Sequence, residues 1–185
     1  MGVDSDGFWG LVDAAREQVD DTVADPDGVA DALVKELSGL PAEEIAGFGV
    51  RLELLMGQAY RWDLWGAAYL LNGGMGDDGF DHFRGWLIAQ GRETWEAALA
   101  DPDSLADVID EDLDDTSDLF DGEAMLAVGA EAYSAVAGSE KAYWAAVDAG
   151  TPDSPDVPGG EEFDFDDKGE LAVRFPRLAA LYLED

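Results

Sequence analysis

The residues best suited to chemistry in this chain crowd into one stretch, Gln58 to Trp95. It holds the single histidine, His82, three of the seven arginines (Arg61, Arg84, Arg92) and four of the six tryptophans. Three kinds of work are open to such a set. The carboxylates Asp77, Asp78 and Asp81, close to His82, could move protons. The arginines could hold a carboxylate or phosphate. Trp62, beside Arg61 and off the apolar face that Trp65 marks, could anchor a partner. Each has a structural counterpart. Acids opening a helix stabilise its free N–H groups, which is the expected role of Asp77 or Asp78. Arginines set among Asp63, Asp78, Asp81 and Glu93 are expected to form internal salt bridges. Tryptophans at helical spacing are expected in a core, with Trp62 as the exception.

Elements on either side must position these residues. Phe8, Leu11, Val12, Ala15 and Val19 recur at helical spacing and predict a first helix. Asp25-Pro26 reads as an N-cap with proline at the first helical position, followed by Val29, Leu33 and Leu37 on the inner face. Leu40 to Ala59 predicts a third helix, weakened by Gly47, Gly49 and Gly57, although small residues also permit close helix approach. Leu64, Trp65, Ala68 and Leu71 carry a fourth to the stop Asn72-Gly73-Gly74. A fifth opens at Asp77 or Asp78 and buries Phe80, Phe83, Leu87 and Ile88. A short one spans Arg92 to Leu99. Ala100-Asp101-Pro102-Asp103 echoes Ala24-Asp25-Pro26-Asp27 and reads as repeated capping rather than a repeat unit. Asp101 to Glu123 contains eleven acids and no base, which predicts a short helix plus a mobile loop. Asp121 can cap a helix bearing Met125, Val128, Ala132 and Tyr133, with a short Tyr143–Val147 segment after it. Gly150 to Gly160 is a proline-rich surface loop, and Phe163 and Phe165 suggest a brief extended segment. Leu171 to Tyr182 is an apolar element broken near Pro176. The prediction is all-α: an irregular bundle of about seven to nine helices with an acidic loop and a proline-rich loop, forming a single domain over 1–185.

Composition narrows the function classes. There is no cysteine, so thiolate catalysis and Cys-ligated metals are excluded; one histidine excludes His-rich sites. Asp110-Asp112-Asp114 has alternate carboxylates, but Asp115 stands where an EF-hand loop needs glycine. Asp164-Asp166 fails at Lys168 and Phe175. Asn72-Gly73-Gly74-Met75-Gly76 is followed by no lysine and reads as a turn, not a phosphate cradle. No metal ligand, catalytic residue or cofactor is assigned. With 43 acidic against 10 basic residues the formal charge is −33. Such a field repels nucleic acid and anionic lipid and attracts basic proteins; host adaptation of an acidic surface is the bland alternative. No run of about 18 apolar residues marks a membrane span, and the N-terminus lacks signal-peptide character. A cytoplasmic location is expected.

The run A-Y-R-W-D-L-W-G-A-A-Y-L-L-N-G-G-M-G-D-D-G-F-D-H-F-R-G-W-L-I-A-Q-G-R-E-T-W resembles a bacterial family called domain of unknown function 4240, DUF4240. The opening Phe8-Trp9 and the closing Phe175-Pro176-Arg177-Leu178 fit its usual ends. The resemblance implies that Trp62, Asp63, Trp65, Asn72, Asp78, Phe83, Arg84, Gln90 and Gly91 belong to a family signature, and it implies no activity. Taken with the residues singled out by type and spacing, the candidate binding set is Arg61, Trp62, Asp63, Asn72, Asp77, Asp78, His82, Arg84, Gln90 and Arg92. The leading expectation is a non-catalytic interaction or regulatory module, of inhibitor or immunity type, that binds a basic protein. Its rivals are a small-molecule or enzymatic site around Asp63, Asp78, His82 and Arg84, and a structural domain without specific chemistry.

Overall fold

The computed structural model describes residues 3–108, 120–153 and 155–183. Among these are ten α-helices, one 3₁₀ helix and no strand. The helices are α1 (Ser5–Arg16), α2 (Pro26–Ser38), α3 (Ala42–Gln58), α4 (Trp62–Asn72), α5 (Asp77–Ala89), α6 (Arg92–Ala100), α7 (Glu123–Ala137), α8 (Glu140–Gly150), α9 (Lys168–Arg174) and α10 (Pro176–Tyr182); the 3₁₀ helix is Pro102–Asp107. The all-α expectation holds. The C-terminal apolar element divides where expected: Pro176, which cannot continue α9, opens a separate α10. The alternate-carboxylate run at 110–114 and most of the predicted acidic loop lie outside the described residues.

Local chemistry sets most boundaries. Asp25 caps α2 by accepting from the Gly28 amide at 2.8 Å, with Pro26 at the first position. Asp101 uses the same device on the Asp103 amide at 3.1 Å, but the turn it starts is 3₁₀. Gly73 ends α4 in the left-handed region at φ 63°, where other residues are strained. The acids at the start of α5 are not caps. Gly76 occupies the N-cap position, and Asp77 and Asp78 fall one and two steps later, acting on the helix dipole. Phe163 and Phe165 form no strand; they pack as an edge-to-face pair against α4, where Phe165 reaches Tyr69 and Trp65.

The hub is α7, which packs on α2, α3, α5 and α8. Its sequence E-A-M-L-A-V-G-A-E-A is rich in small residues, so four neighbours approach its axis closely. The Tyr143 ring of α8 slots between Gly49 of α3 and Gly129 of α7; a Cβ at either glycine would lie 2.8 or 2.7 Å from its Cζ. A second spine runs through the aromatic rings. Trp62 stacks on Trp65, Trp65 on Phe80 and Phe80 on Phe83, with interplanar angles of 8°, 9° and 18°. One cluster of buried apolar side chains links α1 to α7 and continues into α8, α9 and α10.

Candidate functional site

Where α3, α5, α7 and α8 converge they leave a cleft of about 480 Å³. Glu53 and Met56 of α3 form one side, Asp77 and Asp81 of α5 another, and Leu126 of α7 with Trp144 of α8 a third. Arg84 is its buried floor, 7% exposed. The guanidinium donates to the Met56 carbonyl at 2.6 Å, pairs with Asp81, and lies over the Tyr60 and Phe80 rings at 5.0 and 5.1 Å. Its charge is thus spent on capping the last turn of α3 and joining α3 to α5. The remaining acids set the cleft's sign.

Burial raises the Glu53 carboxyl above its ordinary 4.5, Arg84 pulls it back, and Asp148 and Asp81 push it further up. The raised value means that the folded chain binds the Glu53 proton more tightly than the unfolded one. Stability from this group is complete below the unfolded value and is lost as pH rises through the folded one. Glu53→Gln should therefore raise the melting temperature near neutral pH, and the gain should vanish by about pH 4. An equal gain at both pH values would refute that account.

Beyond the Leu126–Trp144 wall lies a second depression of about 590 Å³, lined by His82, Glu123, Ala127, Ala130 and Glu131. Trp144 is held in place: its indole N–H donates to Glu140 at 3.2 Å and its ring meets Tyr143 edge-on at 4.9 Å. His82 Nδ1 lies 3.3 Å from Asp121 Oδ1, and the His82 carbonyl accepts from the Gly122 amide at 3.0 Å.

The ten candidate residues do not share one site. Asp77 and Arg84 line the first cleft. His82 and Asn72 line a smaller hollow of about 250 Å³ beside the glycine turn, where Asn72 Nδ2 donates to its own helix at the Ala68 carbonyl. Arg61 pairs with Asp63 and donates to the Leu99 carbonyl at 2.7 Å, closing the last turn of α6 as Arg84 closes α3. Trp62 is half-buried, one face on Trp65 and its ring against the edge of Phe165. Gln90 is buried and ties α5 to the loop after α1 through the Thr22 carbonyl at 2.9 Å. Arg92 bridges Asp6 and Glu96 on the surface. Asp78 is exposed in the first turn of α5. The proposed quartet is therefore dispersed: Asp63 pairs with Arg61, His82 lies beside Asp121, Arg84 pairs with Asp81, and Asp78 stands exposed.

The family model described as Protein of unknown function (DUF4240) matches residues 3–135, well over half of the 185. The chain belongs to this family. Compared with curated proteins and with solved structures, it matches none. The DUF4240 match includes the polar floor of the cleft, Glu53, Asp77, Asp81 and Arg84, while Trp144 and the closing Phe175–Leu178 segment lie beyond it.

Sequence reasoning missed Glu53, Tyr60, Leu126 and Trp144 as lining residues. Glu53 carried a usable signal: it is an acid within the apolar run Leu52-Glu53-Leu54-Leu55-Met56. Leu126 and Trp144 carried none, since an apolar residue on a helix looks the same whether it faces a core or a cleft. No helix among the described residues is long and apolar enough to cross a membrane.

Proposed function

We propose that this chain is a non-catalytic interaction module, acting as one domain over 1–185, that binds a basic protein partner and regulates it. An inhibitor- or immunity-type role is the concrete form. The observation that supports it is how the few cations are spent. Arg16, Arg61, Arg84, Arg92, Arg174 and Arg177 are each paired with a carboxylate of the same chain. Against 10 basic residues stand 43 acids, a formal net charge of −33, so the surface projects a negative field that steers a basic protein into encounter and repels phosphate backbones. The cytoplasm is where this reading puts the chain.

The test is affinity capture from the host lysate at low and moderate salt, with the bound protein identified. A basic protein retained at low salt and progressively released as salt rises is the expected result, because exposed charge pairs are screened within about 8 Å at physiological ionic strength. Capture that ignores salt, or capture of no basic protein, overturns the reading.

A further inference from the structure

We infer that the basic partner docks through an amphipathic segment laid across the Leu126–Trp144 ridge, with apolar side chains on the ridge and lysines or arginines on the acids to either side. This rests on the reading that the partner is basic, and it adds where and by what chemistry it binds. The first cleft and the second depression share Leu126 and Trp144 as a common wall, so the ridge is flanked on both sides. Met56 and Tyr60 extend the apolar surface on one flank, Ala127 and Ala130 on the other.

Charge complementarity fixes the occupant. Glu53 and Asp77 line one depression, Glu123 and Glu131 the other, and none of these four has an ion-pair partner among the described residues. The basic groups nearby do not reverse this sign: Arg84 is engaged with Asp81 and the Met56 carbonyl, His82 lies 3.3 Å from Asp121, and Lys141, beside Trp144, shares its depression with Glu140 and Asp148. An acidic segment would meet repulsion on both flanks, and an uncharged apolar one would leave the acids unmatched. A tryptophan with its indole N–H tethered and part of its ring open resembles the rigid aromatic anchors that dominate binding energy at interfaces. Because Glu53 already sits among Asp81 and Asp148, a cation placed beside it relieves a repulsion built into the fold.

The test uses two synthetic labelled peptides of about 15 residues, long enough to form a helix on docking. In one, lysine and leucine alternate at helical spacing; in the other, serine replaces leucine at equal charge. The lysine–leucine peptide is expected to bind at moderate salt about tenfold tighter or better, and Leu126→Glu to remove about that factor. The substitution is diagnostic because it adds a negative charge: plain attraction would strengthen, and only loss of the apolar ridge would weaken. Equal binding of the two peptides, or undiminished binding by Leu126→Glu, overturns the inference. A second readout needs no destabilising change. The Trp144 indole N–H resonance, assigned by its absence in Trp144→Phe, should shift when the lysine–leucine peptide is added; a stationary signal overturns the docking site. If lysate capture returns a basic partner whose affinity ignores Leu126→Glu, the groove falls and the basic-partner reading stands. If no basic partner is captured and neither peptide binds, both fall.

Discussion

Gly122→Ala is expected to lower the unfolding free energy by about 3 kcal/mol or more, as overpacking against an unyielding wall does. Gly122 immediately precedes α7, and its amide donates to the His82 carbonyl at 3.0 Å. A Cβ there would stand 2.6 Å from Gly85 C and from Trp86 Cα, and closer still to the Trp86 amide nitrogen. All three are backbone atoms in the middle of α5, so no rotamer change makes room. The contact is reciprocal, since a Cβ on Gly85 would lie 2.5 Å from the Gly122 oxygen. Accommodating either methyl means pushing α7 off α5. The control is Gly10→Ala in α1, where nothing lies within 4 Å of the new Cβ and helix propensity alone acts. There a gain of about 0.5–1 kcal/mol is expected. Urea unfolding of the two variants settles it: similar midpoints would mean that α5 and α7 do not touch at these glycines. The contact also shapes the site, because Arg84 precedes Gly85 and Glu123 and Leu126 follow Gly122. Moving the helices apart would open the acid-lined cleft, so a folded remnant of Gly122→Ala should also bind the lysine–leucine peptide less well.

What could be read from the sequence was what depends on near neighbours. Asp25-Pro26 and Asp101-Pro102 both announced their turns, because a carboxylate three residues or fewer from the amide it accepts needs no tertiary information. The break at Pro176 was visible for the same reason. The helical period of Phe80, Phe83 and Leu87 also predicted their burial correctly. What resisted reading was the choice of distant partner. The Asp81–Arg84 pair lies at i,i+3 and was legible, but the Met56 carbonyl that makes Arg84 a clamp between helices is 28 residues away. Arg61 likewise reached the Leu99 carbonyl, and a backbone acceptor leaves no mark in a sequence. The hub role of α7 was hidden because alanine and glycine give a weak apolar signal while allowing the closest packing. Candidate residues drawn from one stretch of chain then scattered over several surfaces, since neighbouring residues on a helix point in different directions.

Asp103→Ala is expected to cost about 3 kcal/mol, the penalty for stranding buried donors plus a lost helix cap. Asp103 is 5% exposed, an unusual setting for a carboxylate. Its oxygens accept from the Arg177 amide at 3.1 Å and from the Leu178 amide at 3.0 Å. These are the first N–H groups of α10, because Pro176 has none, and Phe175 at the N-cap offers no side-chain acceptor. The cap is therefore supplied by the 3₁₀ helix, 74 residues earlier in the chain. Arg177 returns the contact by pairing with Asp107, so the two short elements are stitched twice. Asp103→Asn keeps one acceptor oxygen but turns an N–H₂ toward backbone donors or solvent, and should fall between the wild type and the alanine variant. The loss should be local. Hydrogen exchange is expected to speed up in α9 and α10, which pack on α4 and on the 3₁₀ helix, while α2, α5 and α7 stay protected. Uniform exchange, or an alanine variant as stable as the wild type, would show that the C-terminal arm is held by its apolar contacts alone. Because the Leu126–Trp144 ridge is built on α7 and α8, peptide binding by Asp103→Ala should persist even as the arm loosens. Stability of the arm and recognition would then prove separable in this fold: the buried Asp103 holds the C-terminal arm, and the acids around the ridge are those that the proposed partner would meet.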